Sequence, residues 1–449
     1  MFDKLINAYK LYRKIDFAQL AKLNEKVDLG NLMQQVGKLD DKQLQGVVKM
    51  LSGNGKKREL PPVNADFYNM DEKLSLEERA LQIKVRETLE KRIKPIVNDY
   101  WLHDSFPFEI IPILAELNIC GITYKGYGSR EMSHIMDGIL ASELARVDAS
   151  VATFFGVHSG LAMGSIYLCG SEQQKQQWLP QMQSMKLIGA FGLTEPEVGS
   201  GAAGGLTTTC EKTPEGWVLN GQKKWIGNST FSDLTIIWAR CKSDGEVKGF
   251  IVKKDTPGFH VEKIKDKMAL RIVQNGLITL DNCLISEADR LQNANTFKDT
   301  AKVLQMTRAG VAWMAVGCAR GAYENALEYT KTRHQFGKPI ASFQLIQNHL
   351  VEMLSNLTAM QTLVYRLSEL QNSGQLKDEH ASLAKVFCSL RTRDIVSKAR
   401  EVMGGNGILL EYNVARFLAD AEAIYSYEGT KEINSLIVGR SITGFSAFV

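Results

Sequence analysis

The sequence predicts an α+β protein in three parts: a helical domain, a small β domain and a helical bundle. Three observations carry this reading. Apolar residues recur at helical spacing from about Leu74 to Lys186. After Gly189, short runs of β-branched and polar residues alternate between Gly-containing and charged turns. From Phe297 onward, three stretches of more than 20 residues each carry one apolar stripe. At 449 residues the chain is too long for one compact core.

Taken in order, residues 1–58 are lysine-rich, with Leu5, Tyr9, Tyr12, Ile15, Leu20 and Leu23 at helical spacing. They read as an appended helical extension, its stripe expected on the core, a partner or a membrane surface. Residues 59–73, with their Pro pair, read as a linker. The helical domain spans 74–188. Its first helix, "SLEERALQIKVRETLEKRIKPIV", opens on Ser75 as cap with an acidic first turn. "MSHIMDGILASELARVD" and "EQQKQQWLPQMQ" are further amphipathic helices. The β domain spans 189–290, where "DLTIIWARC", "GFIVKK", "GFHVEKI" and "GLITLDNCLI" follow a Pro-Glu-Gly turn. It is expected to be a barrel or two packed sheets. Residues 297–449 read as a four-helix bundle, three long helices plus a fourth.

Hydrophobic content of 44% and charged content of 23% are those of an ordinary globular chain. The net charge of +4 has no basic block behind it, so no nucleic-acid partner is expected. Small anions such as phosphates stay open as ligands. The seven cysteines (Cys120, Cys169, Cys210, Cys241, Cys283, Cys318, Cys388) form no CxxC pair and read as buried thiols in a reducing compartment. The seven histidines show no metal-binding spacing, and no metal site is expected. No run of about 18 apolar residues suggests a transmembrane helix. The N-terminus is basic and amphipathic without a signal-type apolar core, Asp3 and Asp16 speak against a transit peptide, and "GFSAFV" is no peroxisomal address. A cytoplasmic location is expected, mitochondrial or peroxisomal in a eukaryote.

Four short segments fall in loops at domain junctions, "FGLTEPEVGSG" (191–201), "WIGN" (225–228), "TRHQFGKPI…FQ" (332–344) and "EVMGGNG" (401–407), and "YEGT" (427–430) joins them. In this order and on this layout they resemble the acyl-CoA dehydrogenase and acyl-CoA oxidase superfamily, over about residues 75–448. "ARVDAS", "NGQKKWIGNSTFSDL", "GFIVKKDTPG" and "GRSITG" look most like the branch of glutaryl-CoA dehydrogenases and plant-type short-chain acyl-CoA oxidases.

The resemblance implies FAD and acyl-CoA as ligands. It places Phe191, Leu193, Thr194 and Ser200, with Trp225, Ile226 and Gly227, along the flavin ring. It places Arg333, Gln335, Phe336, Gln344, Glu401, Gly404 and Gly405 at the pyrophosphate and adenosine end, reaching in from a neighbouring subunit of a homotetramer. Gly-rich loops with free N–H groups and a nearby Arg suit a dianionic pyrophosphate. Thr430 and Glu432 border FAD as well. Glu428 is implied as the base that takes the substrate's α-proton while the β-hydride passes to flavin N5, giving a trans-2-enoyl-CoA. Its backbone N–H and a flavin ribityl hydroxyl would bind the thioester oxygen. Tyr427 keeps the slot dry and Gly429 lets the thioester approach; Arg308 and Ser200 are implied to touch substrate.

Four positions depart from the common pattern: Gly201 stands for an Asp, Gln305 for an Asp, Glu401 for a Gln and Gly227 for a Thr. The expected activity is α,β-dehydrogenation of short-chain acyl-CoA with an electron-transfer flavoprotein as acceptor. The alternatives are a short-chain oxidase, with O₂ admitted beside Gly227, and a non-catalytic scaffold of the same fold. Glutaryl-CoA is expected to be poor. Where a glutaryl-CoA dehydrogenase grips the distal carboxylate with an Arg, this chain has Ala152, then Thr153, Phe154 and Phe155.

Overall fold

The computed structural model describes residues 60–446, so the helical extension read at 1–58 lies outside the described residues. The compact unit Val63–Val449 begins earlier than the sequence suggests. Ala65 is buried, and the Asp66 carboxylate accepts from the N–H groups of Met70 and Asp71 at 2.8 and 3.0 Å. Asp71 in turn accepts from Arg79, Gln82 and the Tyr365 hydroxyl. Two aspartates thus make much of the expected linker an ordered turn.

Helix α1 (Leu76–Thr88) starts where its capping box dictates: Ser75 accepts from the Glu78 N–H, and Glu78 accepts from the Ser75 N–H. Helices α2 (Lys94–Leu102), α3 (Ile110–Leu117) and α4 (His134–Val147) follow. Helices α5 (Ala149–Phe155) and α6 (Met163–Cys169) are joined without a break by a π-helical stretch, Gly156–Ala162. The whole run Ala149–Cys169 is long and apolar enough to cross a membrane, but 67% of its apolar window is buried inside the fold. It is the inner wall of the domain. Helix α7 (Glu172–Gln183) closes this part.

The middle domain is one curled sheet of seven strands: β1 (Gly189–Gly192), β2 (Thr209–Thr213), β3 (Gly216–Ile226), β4 (Leu234–Cys241), β5 (Val247–Lys253), β6 (Phe259–Lys263) and β7 (Gly276–Ile285). Strands β1 and β2 lie end to end, both parallel to β4, while β5 pairs with the other edge of β4. Strand β3 shifts register against β7 after Leu219 and again after Lys223. Such irregularities bend a long strand and deepen its twist. The curl encloses a core of its own around Trp217, Leu219, Ile237, Phe250 and Leu280.

The bundle consists of α8 (Phe297–Thr332), α9 (Gln344–Asn372), α10 (Asp378–Val402), α11 (Val414–Ser426) and α12 (Lys431–Thr443). A hairpin of β8 (His334–Gln335) and β9 (Lys338–Pro339) links α8 to α9. Its core is continuous with that of the N-terminal helices, so α8 packs on both α4 and α10. All seven cysteines are buried and free, as the composition suggests.

Candidate active site

A cavity of about 120 Å³ opens between the π-helical stretch after α5, one face of α8 and the loop joining α11 to α12. Met306, Thr307, Gly310, Val311 and Met314 line it from α8, a spacing that puts all five on one helix face. Gly160 permits the close approach of the opposite wall, since a Cβ there would lie 3.3 Å from the Thr307 methyl.

Tyr427 and Glu428 close the cavity. Glu428 has φ +57° and Gly429 φ +87°, so two successive left-handed residues fold the chain back on itself. Thr430 then caps α12, accepting from the Ile433 N–H at 3.3 Å. A clamp holds this turn. The buried Lys385 ammonium donates to the carbonyls of Tyr425 and Gly429 at 2.7 and 2.8 Å. Asn434 donates to those of Gly429 and Thr430 at 2.8 and 3.1 Å. A Cβ on residue 429 would stand 2.9 Å from the Asn434 amide nitrogen, so glycine is required for space as well as for φ.

The Glu428 carboxylate accepts a short bond from the Thr307 hydroxyl. Burial pushes its pKa above the ordinary glutamate value; the Thr307 bond and the charges of Arg308 and Lys385 oppose that rise. The Tyr427 hydroxyl sits 3.4 Å from that of Thr153 and 3.8 Å from the Met314 sulfur, a nearly apolar roof.

Arg308 departs from expectation. One residue beyond Thr307, it turns about 100° away from the cavity face and pairs with Asp378 and Ser382 of α10. Its charge still reaches Glu428, but its side chain does not line the cavity. Phe154 also points elsewhere, its ring 4.8 Å from that of Phe106, whereas Ala152, Thr153 and Phe155 do line the cavity. Ser200 is exposed on the loop after β1, away from the cavity lining.

The segments expected along the flavin ring are joined to one another. The Lys224 N–H donates to the Thr194 carbonyl at 2.8 Å. The Lys223 ammonium reaches the Leu193 carbonyl at 3.0 Å and Glu195 at 2.8 Å, both charged groups being buried. Burial alone would raise Glu195, but Lys223 and Thr207 hold it down at about 2. Phe191, Leu193 and Ile226 bury their side chains in the core. Trp225, at φ +64°, is 53% exposed. Asn228 donates to the Phe154 carbonyl at 3.1 Å, tying this strand end to α5, while its own amide oxygen is buried without a partner. A Cβ on Gly227 would come 3.3 Å from Val157, which lines the cavity. The sheet edge therefore abuts the cavity wall.

Arg333, Gln335, Phe336 and Gln344 are exposed at the far end of α8. Arg333 follows Thr307 by 26 residues along that helix, about 39 Å at 1.5 Å per residue. Glu401 lies 3.8 Å from His349 of α9, and Asn406 donates to the Tyr329 hydroxyl at 2.9 Å, which brings the exposed Gly404 and Gly405 to the same end. Thr430 and Glu432 stay beside Glu428 at the start of α12. The structure thus forms two groups within one chain and keeps them apart.

Thr307, Lys385, Asn434 and the Glu195–Lys223 pair escaped the sequence reading. A lone lysine among the apolar residues of "SLAKVF" was the available signal for Lys385.

This helix–sheet–bundle chain, with a carboxylate-ended cavity against a sheet edge, is an oxidoreductase by the family models it matches. Residues 75–186, 190–283 and 297–443 match the family models for the N-terminal, middle and C-terminal domains of acyl-CoA dehydrogenase. An acyl-CoA dehydrogenase of Bacillus subtilis (strain 168) is 35% identical over 368 residues, covering 80% of this chain and 96% of that one. The mitochondrial short-chain specific acyl-CoA dehydrogenase of Rattus norvegicus is 30% identical over 79% of this chain and 87% of its own. A glutaryl-CoA dehydrogenase from Mycobacterium smegmatis, solved in complex with FADH2, superposes with a TM-score of 0.84 at 32% identity, over 87% of this chain and all of that one. The chain belongs to the acyl-CoA dehydrogenase family.

The residues present fit FAD, the family's cofactor. Trp225 offers an exposed flat ring, and Asn228 keeps a buried acceptor unused beside it. A Cβ on Gly199 or Gly201 meets nothing within 4 Å, so the neighbouring exposed loop does not block a ligand there.

Proposed function

We propose that this oxidoreductase dehydrogenates short-chain acyl-CoA thioesters to trans-2-enoyl-CoA, with Glu428 as the group that takes the α-proton. The observation that carries this reading is the Glu428 carboxylate closing a mostly apolar cavity, oriented by Thr307 and raised in pKa by burial. A desolvated carboxylate is a stronger base once ionised. The left-handed turn leaves the Glu428 N–H without an acceptor among the described residues, free to bind the thioester oxygen as negative charge develops there. Bound FAD supplies the hydride acceptor. Lys385 and Asn434 hold the turn that carries both base and N–H. At about 120 Å³ the cavity is small beside ligand pockets of roughly 300–1,000 Å³, which supports a short acyl chain.

The acceptor we infer is an electron-transfer flavoprotein, and the surroundings of Gly227 support it. Val157, Val273 and the Asn275 amide nitrogen stand 3.3, 3.5 and 3.9 Å from where its Cβ would be, so the neighbours leave little room beside it. This favours an electron-transfer flavoprotein over O₂. A homotetramer is supported by the second group, whose Arg333 lies about 39 Å along α8 from Thr307, far from the base of its own chain. Phe336, Leu345 and Ile408, at 90%, 79% and 65% exposure, give that end an uncovered apolar surface. The free thiols favour a reducing compartment such as the cytoplasm. Anaerobic titration of the FAD-loaded protein with butyryl-CoA tests the whole reading: bleaching of the flavin supports it, and an unchanged spectrum overturns it.

A further inference from the structure

The cavity carries a second carboxylate that the chemistry above does not use. Asp137 of α4 lines it together with Thr123, from the loop after α3. Every other polar side chain on the wall has a partner. Tyr124 donates to the Ser159 carbonyl, Ser159 accepts from the Gly121 N–H, Thr153 donates to the Ala149 carbonyl, and Thr307 holds Glu428. Asp137 and Thr123 have no side-chain partner among the described residues, and no lysine or arginine lines the cavity. Burial raises the Asp137 carboxyl to about 6, which leaves it mostly ionised at neutral pH. Half-buried on the cavity wall, such a carboxylate loses its water when an apolar chain fills the cavity and then costs free energy unless something donates to it.

We propose that Asp137, with Thr123, is a distal specificity anchor: the preferred acyl chain carries a hydrogen-bond donor, a hydroxyl or an ammonium, beyond its reacting carbons. This rests on the reading of the cavity as an acyl site. A plain alkyl chain long enough to reach Asp137 would strip water from it and return nothing. A distal carboxylate would meet a like charge with no cation to offset it. A hydroxyl or ammonium would donate to Asp137, and charge-assisted bonds of this kind are among the stronger ones. Asp137 touches no reacting atom; it selects the chain.

The test separates binding from turnover. Dissociation constants are measured by calorimetry on the FAD-loaded Glu428→Gln protein for acyl-CoAs of four to six carbons, each plain, ω-hydroxylated and ω-aminated. The same series is run with Asp137→Leu and Asp137→Asn added. At the best chain length a donor-bearing chain is expected to bind about tenfold tighter than its plain counterpart. Asp137→Leu should reverse the order, and Asp137→Asn should keep a hydroxyl preference while losing an ammonium one. A preference below threefold at every length, or one that survives Asp137→Leu, overturns the proposal. The ratio between the two donors identifies which one the site takes. Flavin bleaching in the unsubstituted protein is read separately. If the preference appears and no acyl-CoA bleaches the flavin, the anchor stands and the dehydrogenase reading falls; bleaching without preference does the opposite.

Discussion

The two ends of the candidate site are built in opposite ways. At the Glu428 end the groups that set its geometry are paired, and most are buried: half-buried Thr307 on the carboxylate, buried Lys385 and Asn434 on the turn, buried Lys223 on Glu195 beneath the neighbouring sheet edge. At the Arg333 end Gln335, Phe336, Gln344 and Gly404 are exposed and few bonds hold them. The first end is pre-organised within one chain, because a base must keep its direction to be useful. The second is an open face whose order must come from a ligand or another copy of the chain.

Substitutions at the two ends should therefore fail differently. Glu428→Gln is the sharpest case. The amide is nearly isosteric but accepts no proton, so flavin reduction should fall by about 10²–10⁴-fold with FAD still bound; stopped-flow absorbance reads this directly. The same experiment against pH sharpens it. Burial raises the Glu428 pKa, so the rate with the unsubstituted protein should decline, on acidification, through a value above 4.5. A midpoint at or below 4.5 would contradict the buried-base geometry.

Glutaryl-CoA should come next in size. Its distal carboxylate would lie in a cavity with no cation on its wall and with Asp137 among the lining groups. Desolvating it there costs several kcal/mol, so kcat/KM should fall at least about 100-fold below butyryl-CoA. Equal specificity constants would mean the acyl chain lies elsewhere.

Glu195→Ala should cost about 3–5 kcal/mol of stability, because it strands the buried Lys223 charge. Denaturant titration measures this. The pair also sets an acid limit. The Glu195 pKa is held at about 2 against 4.5 for an ordinary glutamate, so its stabilisation is fully present above 4.5 and is lost as pH falls toward 2. Much of the acid sensitivity between those values should vanish in Glu195→Gln; a variant as acid-labile as the parent would clear the pair of that role.

Arg333→Ala should leave folding unchanged, since the side chain is exposed, yet weaken FAD retention by about 10–100-fold through loss of a charge-assisted bond. Flavin content after gel filtration tells whether the open end matters. The smallest effect is expected at Gly227. A Thr there must displace Val157 by a few tenths of an ångström, so Gly227→Thr should shift substrate affinity by a few-fold and, on the dehydrogenase reading, leave the rate of reaction of reduced enzyme with air almost unchanged. Rapid peroxide formation in the parent that the variant suppresses would favour the oxidase.

The sequence by itself determined what depends on local pattern and on short motifs. The capping box at Ser75, the change from helical to strand periodicity near Gly189 and the positions of the long helices were all legible, because each reflects neighbours within a few residues. So was the segment that closes the cavity, Tyr427 and Glu428, by its resemblance to a family. Only the tertiary structure decided where side chains point and what meets them. Arg308 sits in a helix read correctly, yet its direction depends on Asp378, 70 residues away. Phe191 and Leu193 lie in the expected segment but face the core. The turn at Glu428 is held by Lys385, and the carboxylate by Thr307, 121 residues earlier. Asp137 looked like one polar position on an amphipathic helix until α4 was packed beside the cavity. Periodicity records which residues are buried, but the partner of a buried polar group is a long-range fact of packing.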